Sequence, residues 1–422
     1  MELPVTPRLY DRPFPEISKP HIIGYTGLNN LKFAKNMSNR CVNFDLNYKN
    51  EEDIHKPETL DPKLIELLKF LQDTSATLDL SSSTKLEDSK FFSFRGLLTC
   101  ISSTPYEFKE PWKVAVMLFK GNIYLCMRDT DYKINKVAKT TEYDHRSTAG
   151  GFKFEQYVFS DNPDSQPNYE EPVNQFKELN LFFKTRLNRH TLVYGAEVDG
   201  AACDIGNVTL PPKNGSTEEV LQYLRQLEFV EAKTNLHFHI GKGVRVTFER
   251  HKCRKWWCQS FLVGINRIIC GFKSKQGIVE SLKVFTLKDL ENSQWKPNVC
   301  INFLDSFLTY VKDCLKEVIT RKHGKEALNN INNLDMALLL EWSPKHDVTM
   351  TENWEDKDGI ISKWYKDSFV NREESTESHV KDGQSRALAS RDDPHAMGRD
   401  YHAGNRYSRM RNKDSKRYHP YT

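Results

Sequence analysis

The sequence predicts a mixed α/β fold. Three observations carry that reading. Short apolar or alternating runs of strand length recur at 91–98, 112–119, 122–127, 192–199, 229–233, 267–272, 281–285 and 338–342. Apolar residues at helical spacing mark the segments after Asp61, after Ser216, across 245–262 and from about Val299. The two patterns alternate along the chain, and alternation of that kind builds layered sheets covered by helices.

Taken in order, residues 1 to about 50 carry several prolines and little periodicity, and read as an extended arm lying on the body. Tyr10-Asp11-Arg12-Pro13-Phe14-Pro15 is unsuited to a helix. Asp61 is a natural N-cap with Pro62 at the first helical position, and Leu64, Ile65, Leu67, Leu68 and Leu71 form an apolar face. A loop rich in Ser and Thr follows near 81–84. Beyond it the pattern turns to strands, with Lys120-Gly121 as the turn of a hairpin. Ala149-Gly150-Gly151 reads as a chain break before Phe152. Residues 171–187 read as a helix leading into the 192–199 strand.

Ser216-Thr217-Glu218-Glu219 fits a capping box ahead of Val220, Leu221, Leu224 and Leu227. His237-Phe238-His239 is expected as an ordinary strand pair, with metal binding the alternative. The 245–262 helix carries Arg250, His251, Lys252, Arg254 and Lys255 beside Trp256 and Trp257. Its basic residues either face phosphate or form a solvated surface around packed tryptophans. The long helix from Val299 ends through Arg321, Lys322 and His323 at Gly324, a favourable C-terminal sequence. Residues 338–342 read as the last buried strand.

The 422 residues could fill two or three domains or one large α/β domain. A hydrophobic content of 38% suffices for a substantial core, and no apolar run approaches a bilayer span, so no membrane partner is expected. Met1-Glu2-Leu3-Pro4-Val5 lacks the basic start and apolar centre of a signal peptide. Nine scattered cysteines without a Cys-x-x-Cys pair argue against a disulfide framework or structural zinc, and point to reduced thiols in an intracellular protein. Eleven Lys/Arg and eight Asp/Glu fall in 371–422, leaving 50 and 49 in the rest. The body is therefore not basic overall, and nucleic acid would have to be held by a local groove. In 371–422 large apolar residues almost vanish, so a disordered tail is expected. Its last part interleaves arginines and lysines with Tyr401, Tyr407, Tyr418 and Tyr421, suited to loose RNA contact or to plain solubility.

The chemistry concentrates in two triplets, Glu197-Val198-Asp199 and Glu231-Ala232-Lys233. Side chains alternate along a strand, so each triplet sets its charged pair on one face. With the two strands side by side, three carboxylates and an ammonium converge. Such carboxylates repel unless a cation lies between them, and oxygen-only ligands suit Mg²⁺ or Mn²⁺. Metal, carboxylates and lysine are the equipment of phosphodiester hydrolysis. The plain alternative is a solvated strand face.

Further stretches extend the pattern: Asn43-Phe44-Asp45-Leu46, Phe94-Arg95-Gly96, Thr104-Pro105-Tyr106-Glu107, Gly151-Phe152-Lys153-Phe154-Glu155, Lys255-Trp256-Trp257 and Gln259-Ser260-Phe261. With the two triplets they stand in the order and spacing of the decapping exoribonuclease (DXO) family, which the chain resembles from roughly residue 10 to 370. The resemblance implies one α/β domain over 1–370 with two central mixed sheets flanked by helices and a PD-(D/E)XK nuclease-like core, and leaves 371–422 outside. It implies that Glu155, Glu197, Asp199 and Glu231, with the carbonyl of Ala232, hold divalent metal, Mg²⁺ or Mn²⁺, as two ions. It places Lys233 and Gln259 near the scissile phosphate and attacking water, and gives Arg95, Phe94 and Gly96 to the substrate pocket. Lys32 stands where the family often has an arginine, and keeps the charge without the bidentate fork. The implied substrate is an RNA 5′ end bearing a triphosphate, an incomplete cap or NAD, cleaved to 5′-monophosphate RNA, with 5′→3′ exoribonuclease activity in some members. A nuclear location is implied. The alternatives are a non-catalytic partner that stabilises a larger nuclear 5′→3′ exoribonuclease, and a DNA nuclease on the same core. Retention of all four acids and Lys233 favours an active enzyme. Arg95, the 151–155 stretch and Gln259 favour RNA ends.

Overall fold

The computed structural model describes residues 1–35, 37, 40–56, 64–74, 83–204, 208–352, 354 and 359–369. The Asp61-Pro62 helix start and the 371–422 tail lie outside the described residues. The strands up to the middle of the chain are β1 (His21–Thr26), β2 (Phe33–Ala34), β3 (Arg40–Asp45), β4 (Phe91–Phe94), β5 (Trp112–Phe119), β6 (Asn122–Arg128), β7 (Phe159–Ser160) and β8 (Asn180–Leu187). They continue with β9 (His190–Glu197), β10 (Gly200–Ala202), β11 (Phe229–Leu236), β12 (Arg267–Lys273), β13 (Ile278–Thr286), β14 (Met336–Trp342) and β15 (Thr349–Thr351). The helices are α1 (Ile65–Thr74), α2 (Arg95–Ser103), α3 (Asp131–Ala138), α4 (Glu142–Val158), α5 (Thr217–Gln226), α6 (Lys242–Thr247), α7 (Cys253–Phe261), α8 (Leu287–Leu290) and α9 (Pro297–His323).

Two mixed sheets form the centre. One has eight strands in the order β1-β8-β9-β4-β6-β5-β14-β15, the other seven in the order β3-β13-β12-β11-β10-β2-β7. In the first, β4 runs parallel to both β6 and β9. In the second, β11 is parallel to β12 and β10 to β2. The remaining pairs are antiparallel, among them the β5–β6 hairpin. Its turn holds Lys120 and Gly121 at φ of 46° and 72°, the left-handed pair that suits a two-residue hairpin.

Helix α9 is the main support of the first sheet. Phe303, Phe307, Val311, Leu315 and Ile319 repeat at helical spacing, and join Val114, Val116, Leu338 and Leu340 in the large core. Helix α1 buries Leu67, Leu68 and Leu71 with Phe92, Met117 and Phe182 in a second apolar cluster. Against the second sheet, Phe154 and Val158 of α4 pack on Val230, Ala232, Ile269 and Leu282. Gly271 on β12 makes that approach possible, since a Cβ there would lie 2.5 Å from the Phe154 ring.

Several expectations are corrected. The N-terminal segment is not an arm laid on a finished body: β1 forms an edge of one sheet, β2 is an inner strand of the other, and β3 is an edge of that second sheet. Residues 91–98 divide, with Phe94 extended as the N-cap and a helix from Arg95 that buries Leu97, Leu98 and Ile101. Residues 171–187 are not helical. They lead into β8, which pairs with both β1 and β9, and this pairing overrides the local preference. Gly150 and Gly151 do not break the chain. They lie inside α4, capped by Thr141 and Asp144, and burial of its last two turns offsets the roughly 1 kcal/mol per glycine. The 245–262 helix is interrupted by a wider π turn over Phe248–Lys252. Past the end of β11, His237 caps a 3₁₀ turn that holds Phe238 and His239, so the three do not form a strand. The 338–342 strand is followed by β15, which pairs with it. The Ser216 capping box forms as expected.

Candidate active site

The triplet-bearing strands are not neighbours. Glu197 ends β9 in the first sheet, while Glu231 lies on β11 in the second. The chain crosses between sheets at Val198-Asp199, and β10, immediately beyond, pairs with β11 through Gly200 opposite Val230. Convergence is thus achieved by a strand that changes sheets, not by adjacent strands.

On β11, alternation works as expected. Val230 and Ala232 point into the α4 core, and Glu231 and Lys233 face the other way. Glu231 is 1% exposed. One of its oxygens accepts from Lys233 Nζ at 2.8 Å and also from Gln259 Nε2. The other accepts from Arg95 Nη1 at 3.2 Å. Gln259 arrives from α7 and Arg95 from the first turn of α2. Asp199 Oδ2 accepts the backbone N–H of Ala232 at 2.7 Å and lies 4.0 Å from Lys233 Nζ. Glu155, one residue beyond the anchored Phe154 on α4, is close enough to Asp199 and Lys233 to feel both charges.

The electrostatics divide the acids. Burial, with Asp199 next, pushes the Glu155 carboxyl well above the usual carboxylate range. Burial, then repulsion from Glu178 and Asp199, raises Glu197 to about 7. Burial and then Glu231 raise Asp199 to about 6, against the pull of Lys233. Burial also opposes ionisation of Glu231, but Lys233 and Arg95 outweigh it and hold the group below its usual value. Burial would lower Lys233, yet Glu231 and Asp199 hold it firmly charged. Three crowded carboxyls that resist ionisation, with all-oxygen donors, fit a hard divalent cation. Its charge would offset both the burial and the mutual repulsion that raise their pKa values.

Glu155, Glu197 and Asp199 line a cleft of about 300 Å³, whose lining does not include Glu231, Ala232, Lys233 or Gln259. Lys32 lines it too, paired with Asp161. Phe94, Arg95 and Gly96 do not line this cleft: Phe94 packs against the α1 cluster, Arg95 is engaged with Glu231, and Gly96 is exposed. Sequence reasoning missed Phe152, Gln175, Lys177 and Glu178, which also line it. Lys177 and Glu178 fall in the 171–187 segment read as helix, so their place at the mouth of β8 was hidden. Lys56 Nζ holds Glu178 at 2.8 Å.

An acid-x-acid crossing and a helix-borne glutamate on one cleft, with a Glu-x-Lys strand in contact with the crossing, on a mixed-sheet core, define a metal-dependent nuclease of the PD-(D/E)XK type. The model of the family described as RAI1 like PD-(D/E)XK nuclease matches residues 24–366, and the chain belongs to that family. It is 31% identical over 314 residues to the decapping and exoribonuclease protein of Xenopus laevis, covering 72% of this chain and 71% of that one. It is 28% identical over 389 residues to the decapping and exoribonuclease protein of Homo sapiens, covering 87% and 90%. Among solved structures it is similar to Candida albicans Rai1 in complex with pU5-Mn²⁺, with TM-score 0.65, 17% identity, and coverage of 87% of this chain and 98% of that one. The likeness to S. pombe Rai1 in complex with 3′-FADP has TM-score 0.55 and 19% identity, covering 81% and 97%. At such identities these structures speak for the fold.

Proposed function

We propose that this chain is a divalent-metal-dependent hydrolase of RNA 5′ ends. It removes incomplete or NAD caps, or pyrophosphate from a 5′-triphosphate, and leaves 5′-monophosphate RNA. It then degrades the product 5′→3′. The observation that carries the reading is the gathering of Glu155, Glu197 and Asp199 on the lining of the cleft, with Glu231, Lys233 and Gln259 bonded together beside Asp199. The names of the curated relatives, decapping and exoribonuclease proteins, support the substrate class.

Glu155, Glu197, Asp199 and Glu231, with the Ala232 carbonyl, would hold Mg²⁺ or Mn²⁺, as two ions. Bound there, such ions supply water of lowered pKa and neutralise phosphate charge. The chain's own groups do the rest. Gln259 donates its amide N–H to Glu231, which leaves its carbonyl oxygen to accept a hydrogen bond from the attacking water and orient it. Lys233 is held charged between Glu231 and Asp199, placed to balance the anionic phosphate as it develops charge. Arg95 fixes Glu231 from the opposite side. Lys32 and Lys177 supply cations along the cleft for the phosphates of the 5′ end.

The test is product analysis with purified full chain, Mg²⁺ or Mn²⁺, and RNA carrying a 5′-triphosphate, a cap or NAD, beside a circular RNA of the same sequence. Conversion of at least one linear RNA to 5′-monophosphate product with the circle intact is expected. Cleavage of the circle at the linear rate, or no turnover of any 5′ end, would overturn the reading.

We also infer a nuclear location and a complex with a larger nuclear 5′→3′ exoribonuclease, on the strength of the family resemblance. Tagged chain in its native cell is expected in the nuclear fraction with such an enzyme bound. Recovery in the cytosol with no exoribonuclease attached would refute this part alone.

A further inference from the structure

We propose that His237, His239 and Glu280 form a second metal site, away from the cleft, for a borderline-soft divalent ion of the Zn²⁺ class. One donor atom from each lies within 4.8 Å of the others. Tetrahedral coordination at bond lengths of about 2.0–2.1 Å sets donors roughly 3.4 Å apart, so side-chain rotations that draw the donors together, and release the His237 Nδ1 from the His239 N–H it now accepts, would close the cluster.

The backbone on both sides brings these residues together. Strand β11 ends at Leu236, and the His237 N–H then bonds to the Lys273 carbonyl at 2.8 Å, at the end of β12. The 3₁₀ turn over Phe238–Ile240 brings His239 back beside His237, with ring centroids 4.2 Å apart. Phe238 turns the other way and packs edge-on against Phe248 and Phe272. Phe272 also braces the His237 ring at 5.7 Å.

Glu280 comes from β13, two strands away. Along the β12–β13 ladder Phe272 pairs with Ser281 and Lys273 with Val279, so Glu280 is an extra, unpaired residue. The β13–β3 register shifts at the same place, between Val279 and Ser281. A bulge of this kind re-aims a side chain. Here it brings the carboxylate within reach of the two imidazoles, past the end of β12. The two imidazoles and one carboxylate make a nitrogen-rich set that suits Zn²⁺, and that discriminates against the Mg²⁺ served by the oxygen-only cleft. Three protein ligands leave a fourth position for water. A bound ion would brace β11, the strand carrying Glu231 and Lys233, against β13. The site does not depend on the cleft's proposed activity.

The test is titration of the full chain with Zn²⁺ in saturating Mg²⁺, read by calorimetry, with Co²⁺ as a spectroscopic probe. One Zn²⁺ per chain is expected in the parent. His239→Ala and Glu280→Gln, at two exposed positions, should each weaken it by at least about tenfold, the scale seen when even an outer partner of a metal is lost. Circular dichroism checks their folding. The visible Co²⁺ spectrum should disappear in the His237→Ala/His239→Ala double variant. Equal Zn²⁺ affinity in parent, His239→Ala and Glu280→Gln overturns the proposal, as does failure of the parent to take up Zn²⁺. Zn²⁺ binding that survives His239→Ala and is lost in Asp199→Asn would place the ion in the cleft, and overturns it too.

Discussion

Glu231 is the hinge of the site's electrostatics. It is the one acid of the four whose ionisation the surroundings favour, because Lys233 and Arg95 overcome the burial that opposes it. Glu155, Glu197 and Asp199 are left to repel one another. Asp199→Asn or Glu197→Gln should therefore lower turnover by at least about 100-fold, the scale set by losing one preorganised charge-stabilising group. The melting temperature measured in EDTA should not fall, since a repelling charge is removed. Comparable loss of both activity and stability would point to a structural role.

The pH dependence follows with a definite sign. In the folded, metal-free chain Glu197 and Asp199 keep protons up to about 7 and about 6, whereas unfolded carboxyls lose theirs near about 4. Their contribution to stability is present below that unfolded value and is lost as pH rises through the folded ones. Glu231 works oppositely, adding stability above its unfolded value and losing it in acid. Melts in EDTA between about pH 5 and 7 should thus decline with pH more steeply for the parent than for Asp199→Asn. Mn²⁺ affinity by calorimetry should rise across the same window, with protons released. A parent melting temperature that rises with pH relative to the variant would contradict the assignment.

Among the elements, α4 and β11 set the precision of the site. Helix α4 holds Glu155 in place through Phe154, and Phe154 fits because β12 has Gly271 beneath it. Gly271→Ala inserts a methyl 2.5 Å from that ring. It should cost about 1–3 kcal/mol in urea unfolding, and weaken Mn²⁺ binding although no ligand is changed. Unchanged Mn²⁺ affinity would show that α4 does not position Glu155. Helix α2 presents Arg95 to Glu231, and Arg95→Met should lose about 1.5–3 kcal/mol, the range for a hydrogen bond to a charged group. Urea unfolding of this variant at the parent's midpoint would show that Lys233 and Gln259 satisfy Glu231 alone.

Much at this scale was legible in the sequence. Strand alternation announced the faces of β11, the apolar spacing announced α9, and Ser216 and Glu219 announced the start of α5. What escaped notice was decided by partners distant in sequence. Residues 180–187 become a strand because β1 and β9 flank them. The glycines of α4 stay helical because the turns beyond them are buried. Glu178 and Lys177 went unrecognised because the segment was read with the wrong period. Where the 195–199 strand crosses from one sheet to the other left no local mark at all.

For the whole molecule, the site lies where the two sheets meet. Glu197 ends β9 of the eight-stranded sheet, Asp199 stands at the crossing, and Glu231 comes from the seven-stranded sheet. Arg95 is contributed from beyond β4 in the first sheet, while α4 brings Glu155 from the face of the second. No single layer holds the carboxylates together, so the cleft depends on how the sheets pack against each other. Among the described residues, no helix is long and apolar enough to cross a membrane. The most direct measurement is an anomalous difference map from crystals of the full chain soaked in Mn²⁺. A manganese peak enclosed by Glu155, Glu197, Asp199 and Glu231 is expected, absent in Asp199→Asn. Saturating Mn²⁺ with no peak among those four side chains would contradict this metal assignment.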